Sequence, residues 1–183
     1  MLEIRIHGRG GQGAVIASQA LAVAAFREGR YVQAFPAFGV ERRGAPVVAF
    51  ARISDRPIRI RSQIYNPDHI IVLDPTLIQA VDVTAGLKEN GWIIINSDRE
   101  PGEFDLPPKF RVATVDANSI AVKHHLGTRT APIVNTAILG AFSRITGIVG
   151  LEAVLEAIRE TVPIRQEENI AAAKEAYKLV RSG

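Results

Sequence analysis

Apolar and polar positions along this chain follow two periods in turn, that of a strand and that of a helix. Leu2 to His7 predicts a first strand, and the alanine-rich run from Gln12 to Arg27 predicts a helix that ends before Gly29. Tyr31 to Phe35 predicts a second strand, which Pro36 stops. Because strands and helices alternate in this way, we expect βαβ units and a mostly parallel sheet.

The middle of the chain predicts a hairpin and several buried strands. Val47 to Ile53 and Pro57 to Ser62 flank a Ser-Asp-Arg turn, and the second piece alternates isoleucine with arginine, which is typical of a hairpin with a cationic face. Continuous apolar runs predict buried strands at His69 to Leu73 and Gly91 to Asn96, and a further strand is predicted at Arg111 to Val115, after a proline-rich link.

Helices are predicted after these strands and over the last third of the chain. They span Thr76 to Val83, Asp116 to Leu126, a segment capped by Asn135 or Thr136 that runs to Ile145, Leu151 to Glu160, and Gln166 to Val180. No repeat or low-complexity tract interrupts the chain. The sequence therefore predicts one domain over residues 1–183, an α/β, doubly wound, Rossmann-like and mostly parallel sheet with an inserted β-hairpin and C-terminal helices.

The turn between the first strand and the first helix carries the most informative chemistry. It reads Gly8-Arg9-Gly10-Gly11-Gln12-Gly13, with glycines at the spacing of the dinucleotide-type phosphate loop. Glycine permits positive φ and places no Cβ between backbone and phosphate, while the next helix directs free N–H groups into the same space. The pattern predicts a phosphate cradle, and a tight turn without a ligand is the alternative.

A second loop, Phe38 to Pro46, follows the second strand and is rich in glycine and charge. Arg42 and Arg43 can bind phosphate or carboxylate bidentately, and Glu41 can orient one of them. No carboxylate stands roughly 20 residues past the glycines, where a NAD-binding domain holds the ribose, so NAD is disfavoured. A free-standing NADP-binding reductase stays open because Arg42 and Arg43 suit a 2′-phosphate, and a solvated charged loop is the alternative without a ligand.

Composition narrows the classes of function. The 183 residues include no cysteine, which excludes a thiolate nucleophile and an iron–sulfur cluster held by this chain's own thiolates. The histidines lack a metal-ligand spacing, and no apolar run reaches the length of a membrane span. Since no leader pattern precedes the first strand, we expect a cytoplasmic protein. No side chain stands out as a general base or nucleophile, so we expect no catalytic residue here.

The charge of the chain is mildly basic, with a formal net charge of +3. A nucleic-acid-binding module would use the cationic hairpin, but aromatic residues make up only 6% and the strands lack stacking residues. A phosphorylated small molecule is therefore the favoured partner of the basic residues.

Both loops, together with two further blocks, resemble the gamma subunit of the 2-oxoacid:ferredoxin oxidoreductases, above all that of the pyruvate and branched-chain 2-oxoacid enzymes. The further blocks are Arg61-Ser62-Gln63-Ile64-Tyr65 leading to Leu73-Asp74-Pro75, and Asn135-Thr136 with Leu139-Gly140-Ala141, in the order of the family. That family often shows Ser-Tyr-Gly-x-Glu-x-Arg-Gly-Gly at the second loop. Here Ala37, Phe38 and Ala45 depart from it, and Glu-Arg-Arg-Gly-Ala-Pro is similar to the pyruvate-type branch.

The resemblance implies a heteromeric enzyme that converts pyruvate or a related 2-oxoacid to acyl-CoA and CO2 and reduces ferredoxin. It implies partner subunits of alpha, beta and delta type that carry thiamine diphosphate, Mg and 4Fe–4S clusters. The gamma chain is then expected to bind coenzyme A and to have no nucleic-acid or membrane partner.

Site residues follow from the same resemblance. The expected phosphate cradle consists of Gly8, Arg9, Gly10, Gly11, Gln12 and Gly13. Arg42 and Arg43 are the expected anion clamp, oriented by Glu41. Asn135 is a further candidate contact, although helix capping alone accounts for it. The role of Arg59 and Arg61 stays open: they could contact coenzyme A, contact an acidic face of a partner subunit, or form a solvated surface.

Overall fold

A computed structural model describes residues 1–37, 39 and 42–183. The strands are β1 (Leu2–Arg9), β2 (Tyr31–Pro36), β3 (Pro46–Ser54), β4 (His69–Val72), β5 (Trp92–Asn96), β6 (Arg111–Val115) and β7 (Arg181–Ser182). The α-helices are α1 (Ala14–Arg27), α2 (Leu77–Ala80), α3 (Ala117–Lys123), α4 (Ala137–Thr146), α5 (Leu151–Thr161) and α6 (Gln166–Leu179), and a 3-10 turn spans Pro101–Glu103. Within these ranges no helix has the length and apolarity to cross a bilayer.

The strands form a seven-stranded sheet in the order β2-β3-β1-β4-β5-β6-β7. The four strands β1, β4, β5 and β6 are parallel, whereas β3 is antiparallel to both β1 and β2, and β7 is antiparallel to β6. The predicted α/β class and Rossmann-like sheet are confirmed. The parallel strands end together at one edge, the carboxyl edge, where ligands of such sheets bind.

The two faces of the sheet are covered unequally. Helices α1, α3, α4, α5 and α6 pack with Ile4 and Ile6 of β1 in one large apolar cluster, and we call this side the helix face. Alternate residues of a strand point to opposite sides, so Glu3, Arg5 and His7 belong to the other side, the loop face. There α2 and irregular segments cover the sheet, with a smaller apolar cluster over β4 and β5.

The predicted hairpin of Val47–Ile53 and Pro57–Ser62 is wrong in its second half. β3 pairs with β2, so the antiparallel pair uses the second strand of the chain instead. Residues 57–62 form no strand. Pro57 has no N–H to donate, and carbonyls of this segment accept hydrogen bonds from the side chains of Gln33 and Arg52 rather than from a strand.

Element boundaries differ from the prediction by a few residues. α1 begins at Ala14 rather than Gln12, because Gly11 and Gly13 have φ values of +92° and +80°, outside the right-handed helical region. α2 is a single turn of four residues, and α3 ends at Lys123. The two-residue β7 was not predicted, since so short a strand carries no periodic signal.

Candidate functional site

The glycine loop joins β1 to α1 at the carboxyl edge of the sheet. Gly13 is the N-cap of α1 and offers no side chain to the first turn, which contains no acidic residue. The N–H groups of Ala14, Val15 and Ile16 precede the first intrahelical hydrogen bond, which the Ala17 N–H donates to the Gly13 carbonyl oxygen, and they add to the positive end of the helix dipole. The start of α1 is therefore suited to receive an anion.

The two loops predicted to form the site lie against each other. Gly10 and Arg43 form a parallel β-bridge. The Gly10 N–H donates to the carbonyl oxygen of Ala45 at 2.9 Å, and the Gly44 N–H donates to the carbonyl oxygen of Gly10 at 3.0 Å. A Cβ on Gly10 would lie 2.1 Å from the carbonyl oxygen of Arg42, so only glycine permits this approach.

This pairing holds the main chain of Arg42 and Arg43, the predicted anion clamp, against the glycine loop that leads into α1. Arg42, Arg43 and Gly11 are all exposed, so a ligand from solvent has access to guanidinium groups and loop backbone together. Glu41, which the sequence predicts to orient the clamp, lies outside the described residues.

Arg9 and Gln12, predicted as members of the cradle, form contacts within the protein. The Arg9 guanidinium donates from Nε to Asp74 Oδ2 at 3.2 Å, from Nη1 to the Gly44 carbonyl oxygen at 3.0 Å and from Nη2 to Thr76 Oγ1 at 2.9 Å. The amide oxygen of Gln12 accepts from the Arg9 N–H at 2.7 Å. Arg9 therefore ties three loops of the carboxyl edge together, and Asp74 balances its charge.

Asp74 also lies at the carboxyl edge, and the sequence had not indicated a functional role for it. Its carboxylate accepts hydrogen bonds from Arg9, Gln12 and Thr76 at 2.7–3.4 Å. Partial burial raises the pKa of Asp74, but the hydrogen bonds from Thr76 and Gln12 and the positive charge of Arg9 outweigh it and lower the pKa below its ordinary value. A carboxylate directly after a buried parallel strand was the signal that could have identified it.

Asn135 contacts the glycine loop and does not cap α4 through its side chain. Thr136 occupies the N-cap position of α4, without a side-chain cap. The Nδ2 of Asn135 donates to the carbonyl oxygen of Gly13 at 3.3 Å. A Cβ on Gly13 would lie 2.4 Å from that Nδ2, so the glycine makes room for the contact. The structure thus brings Asn135 to the predicted cradle as a support of the loop.

An apolar cavity of about 490 Å³ opens beside the glycine loop on the helix face. It lies between the first turn of α1 and the ends of β2 and β3, and its walls include Ile16, Pro36 and Val47. Gly11 and Gly13 form part of its rim, so it borders the N-terminus of the helix. The cavity can accommodate an uncharged part of a ligand whose anionic part lies at the loop.

A smaller cavity of about 290 Å³ lies on the other side of the loop, over the ends of β4 and β5. Its lining is more polar and includes Asp74, Asn96 and Asn118, with Gly11 shared between both cavities. No group of three or more metal-ligating side chains converges in the described part of the chain.

The position of β3 separates this site from an ordinary dinucleotide site. In a NAD-binding fold the second strand runs parallel beside the first, and its end carries the acidic residue that holds the ribose. Here antiparallel β3 lies between β1 and β2. The end of β2 is therefore one strand farther from the glycine loop than ribose binding requires.

Comparisons with known proteins agree with one another. Residues 3–179 match the model of the family described as pyruvate ferredoxin/flavodoxin oxidoreductase. The pyruvate/ketoisovalerate oxidoreductases common subunit gamma of Thermococcus kodakarensis is 58% identical over 181 residues, which cover 97% of this chain and 96% of that protein. Pyruvate synthase subunit PorC of Methanothermobacter thermautotrophicus is 51% identical over 181 residues, covering 98% of this chain and 96% of that protein. A crystal structure of pyruvate oxidoreductase subunit PORC from Thermotoga maritima matches with a TM-score of 0.82 and 37% identity, covering 100% of this chain and 98% of that one.

Proposed function

This chain belongs to the pyruvate ferredoxin/flavodoxin oxidoreductase family as a gamma subunit, and from that premise we propose that it binds coenzyme A for its complex. The complex would oxidise pyruvate or a related 2-oxoacid to acyl-CoA and CO2 and pass two electrons to ferredoxin. Coenzyme A carries a pyrophosphate and a 3′-phosphate at one end and a long uncharged arm at the other. A site for it needs several phosphate donors beside an apolar space.

The pairing of Gly10 with Arg43 is the observation that carries the proposal, because it brings the chain segment that bears two arginines against the loop that leads into a helix N-terminus without a side-chain cap. Main-chain N–H groups fixed in a loop bind phosphate without losing side-chain entropy, and arginine binds it bidentately. Several phosphate oxygens can therefore be bound at once by the start of α1 together with Arg42 and Arg43.

The apolar cavity supports a ligand with an uncharged part. Its rim at Gly11 and Gly13 adjoins the phosphate donors, while Ile16 and Val47 line its interior. Burial of apolar ligand surface there adds affinity that inorganic phosphate cannot gain. Arg9 acts in this proposal by fixing the loop rather than by binding phosphate, since three of its nitrogens already donate within the protein.

The chemical steps are proposed to take place on other subunits. Cysteine is absent from the sequence, so 4Fe–4S clusters need thiolates from partners, and we assign them with thiamine diphosphate and Mg to alpha, beta and delta-type subunits. Ferredoxin would then interact with the assembled complex. This chain contributes binding and orientation of the thiol substrate.

A kinetic experiment on the assembled complex tests the site. Replacing Arg42 and Arg43 by alanine removes charged hydrogen bonds worth roughly 1.5–3 kcal/mol each. We expect the KM for coenzyme A to rise at least about tenfold, a factor that corresponds to 1.4 kcal/mol. The kcat at saturating coenzyme A and the KM for pyruvate should stay unchanged.

Lys174→Ala on α6 is the matched control, because it removes an exposed positive charge far from the glycine loop in sequence and on another helix. A KM for coenzyme A within twofold of wild type in the arginine variant would contradict the proposal. The alternative of a free-standing NADP-binding reductase finds no support in the comparisons, and tight binding of NADPH in place of coenzyme A would be required to revive it.

A further inference from the structure

A cationic surface that the proposed site does not use lies between β3 and β4. We call the segment from Arg56 to Tyr65 the basic strip, and its arginines, Arg56, Arg59 and Arg61, are exposed. Two large apolar side chains of the strip also face solvent, since Ile60 is 45% and Tyr65 is 67% exposed. The strip therefore combines positive charge with apolar surface.

The strip is held through its main-chain carbonyls. Arg52 of β3, only 1% exposed, donates from Nη2 to the carbonyl oxygens of Ser62 and Gln63 at 2.7 and 3.3 Å. The Nε2 of Gln33 donates to the carbonyl oxygen of Ile60 at 2.8 Å. Because side chains from the sheet anchor the backbone, the exposed side chains of the strip stand in a defined arrangement.

The carboxylates next to the strip have other partners. Glu3 pairs with Arg52 at 2.8 Å, and Asp55 pairs with Arg30 at 3.0 Å. The positive charge of the strip is thus available to a binding partner.

The strip lies too far from the glycine loop to share its ligand. In the β1–β3 register, Arg52 is opposite Glu3 and Pro46 is opposite Arg9. The six residue steps along β1 from Glu3 to Arg9 span about 20 Å at 3.3 Å per residue. The strip is joined to the far end of β3 from that loop, so an anion bound at the carboxyl edge does not account for it.

We propose that the basic strip docks this chain onto an acidic face of another subunit of its oxidoreductase complex. The inference rests on the proposed assembly with partner subunits and is independent of the coenzyme A site. A small anion needs donors that converge on one point, whereas Arg56 and Tyr65 are separated by eight residues of irregular chain. The combination of arginine and tyrosine with exposed apolar surface is typical of protein interfaces.

Charge reversal in the co-expressed complex tests the docking surface. The variant Arg59→Glu/Arg61→Glu should lower the recovery of assembled complex at least about tenfold, measured by native mass spectrometry and size-exclusion chromatography. Salt should weaken association of the wild-type subunits, since it screens exposed charges. Lys174→Glu/Lys178→Glu on α6 makes the same change in net charge on another surface and should assemble normally.

A second variant distinguishes loss of docking from loss of folding. Arg59→Gln/Arg61→Gln should give an intermediate loss of assembly while the melting temperature of the chain stays at its wild-type value. Wild-type recovery and salt dependence in the charge-reversed variant would overturn the proposal. Two further results would also overturn it: normal assembly together with loss of co-purifying nucleic acid, or normal assembly together with a raised KM for coenzyme A. Either result would show that the basic strip binds a different partner. Failure of the coenzyme A site leaves this test unaffected, because assembly is measured without that ligand.

Discussion

The helix face and the loop face bury the same strands of the sheet with different chemistry. On β1, Ile4 and Ile6 pack into the apolar cluster of the helices, while Arg5 and His7, on the other side of the strand, are buried among polar partners. A helix satisfies the hydrogen bonds of its own backbone, so it needs only an apolar stripe to pack on a sheet. An irregular segment cannot do this, because its carbonyls still need donors.

Buried arginines supply these donors on the loop face. Arg5 donates from Nη2 to the carbonyl oxygens of Val83 and Ala85 at 2.9 and 2.7 Å, and from Nε to His7 Nε2 at 2.9 Å. Arg52 binds the carbonyls of the basic strip in the same way. The loop face therefore depends on hydrogen-bond geometry, whereas the helix face depends on packed volume.

Truncation of the helix face should have the largest effect. Phe142 of α4 is fully buried, and Phe142→Ala leaves a cavity that the surrounding helices cannot fill. We expect the free energy of unfolding to fall by about 3–5 kcal/mol in urea titrations of the purified chain. Phe142→Leu is the conservative control and should cost less. A loss below about 1 kcal/mol for the alanine variant would mean that this face does not rely on packing.

Removal of a buried guanidinium should have the next largest effect. Arg52→Leu leaves Glu3 without its partner and the carbonyls of Ser62 and Gln63 without donors, so we expect a loss of about 2–4 kcal/mol. Hydrogen exchange should increase in residues 56–65 more than in the glycine loop.

Arg52→Lys separates charge from geometry in this test. Lysine keeps the positive charge but cannot reproduce the fork of donors, so it should recover only part of the lost stability. Full recovery by lysine would show that charge alone, and not hydrogen-bond geometry, holds the loop face.

The same contrast explains which parts of the fold the sequence could predict. The parallel strands β4 and β5 contain continuous apolar runs, so their burial on both faces was visible in the sequence. Residues 57–62 alternate isoleucine and arginine like a strand, yet the segment has no strand partner. Arg52 resembles a solvated residue in sequence, and only its nonlocal partners make it a buried one.

Prediction of the site shows a similar division. Topology brings the loops after β1 and β2 toward one edge, so proximity of the glycine loop to Arg42 and Arg43 could be expected. The hydrogen bond from Arg9 to Asp74 joins residues 65 positions apart, and no local sequence pattern predicts it. Asn135 likewise contacts Gly13 across 122 positions, where sequence indicated only a helix cap.

Acidification should lower the free energy of unfolding by a smaller amount, through a histidine of the loop face. Burial and the charge of Arg5 lower the pKa of His7 to about 3, against an attraction by Asp82. The unfolded chain, with a histidine pKa near 6.5, takes up more protons between these values. Stability should therefore be complete above about pH 6.5 and fall by about 2 kcal/mol on acidification to pH 5, at up to 1.4 kcal/mol per pH unit.

His7→Gln should flatten this pH profile while its side-chain oxygen still accepts from Arg5. Some slope will remain, because burial also lowers the pKa of His69. An unchanged slope between pH 6.5 and 5 in urea titrations of the variant would show that His7 is not the group responsible.

Loss of the contact between α4 and the glycine loop should have the smallest effect on stability. The carbonyl oxygen of Gly13 also accepts from the Ala17 N–H at 3.0 Å, so Asn135→Ala leaves no orphaned acceptor and should cost about 0.5–1 kcal/mol. The loop would nevertheless lose a support where phosphate is proposed to bind, so the KM for coenzyme A should rise a few-fold. Asn135→Asp tests this further, since it also loses the donor to the Gly13 carbonyl oxygen and places a carboxylate that repels phosphate, so it should raise the KM more than alanine does. Equal KM values in both variants would mean that no anion approaches this helix terminus.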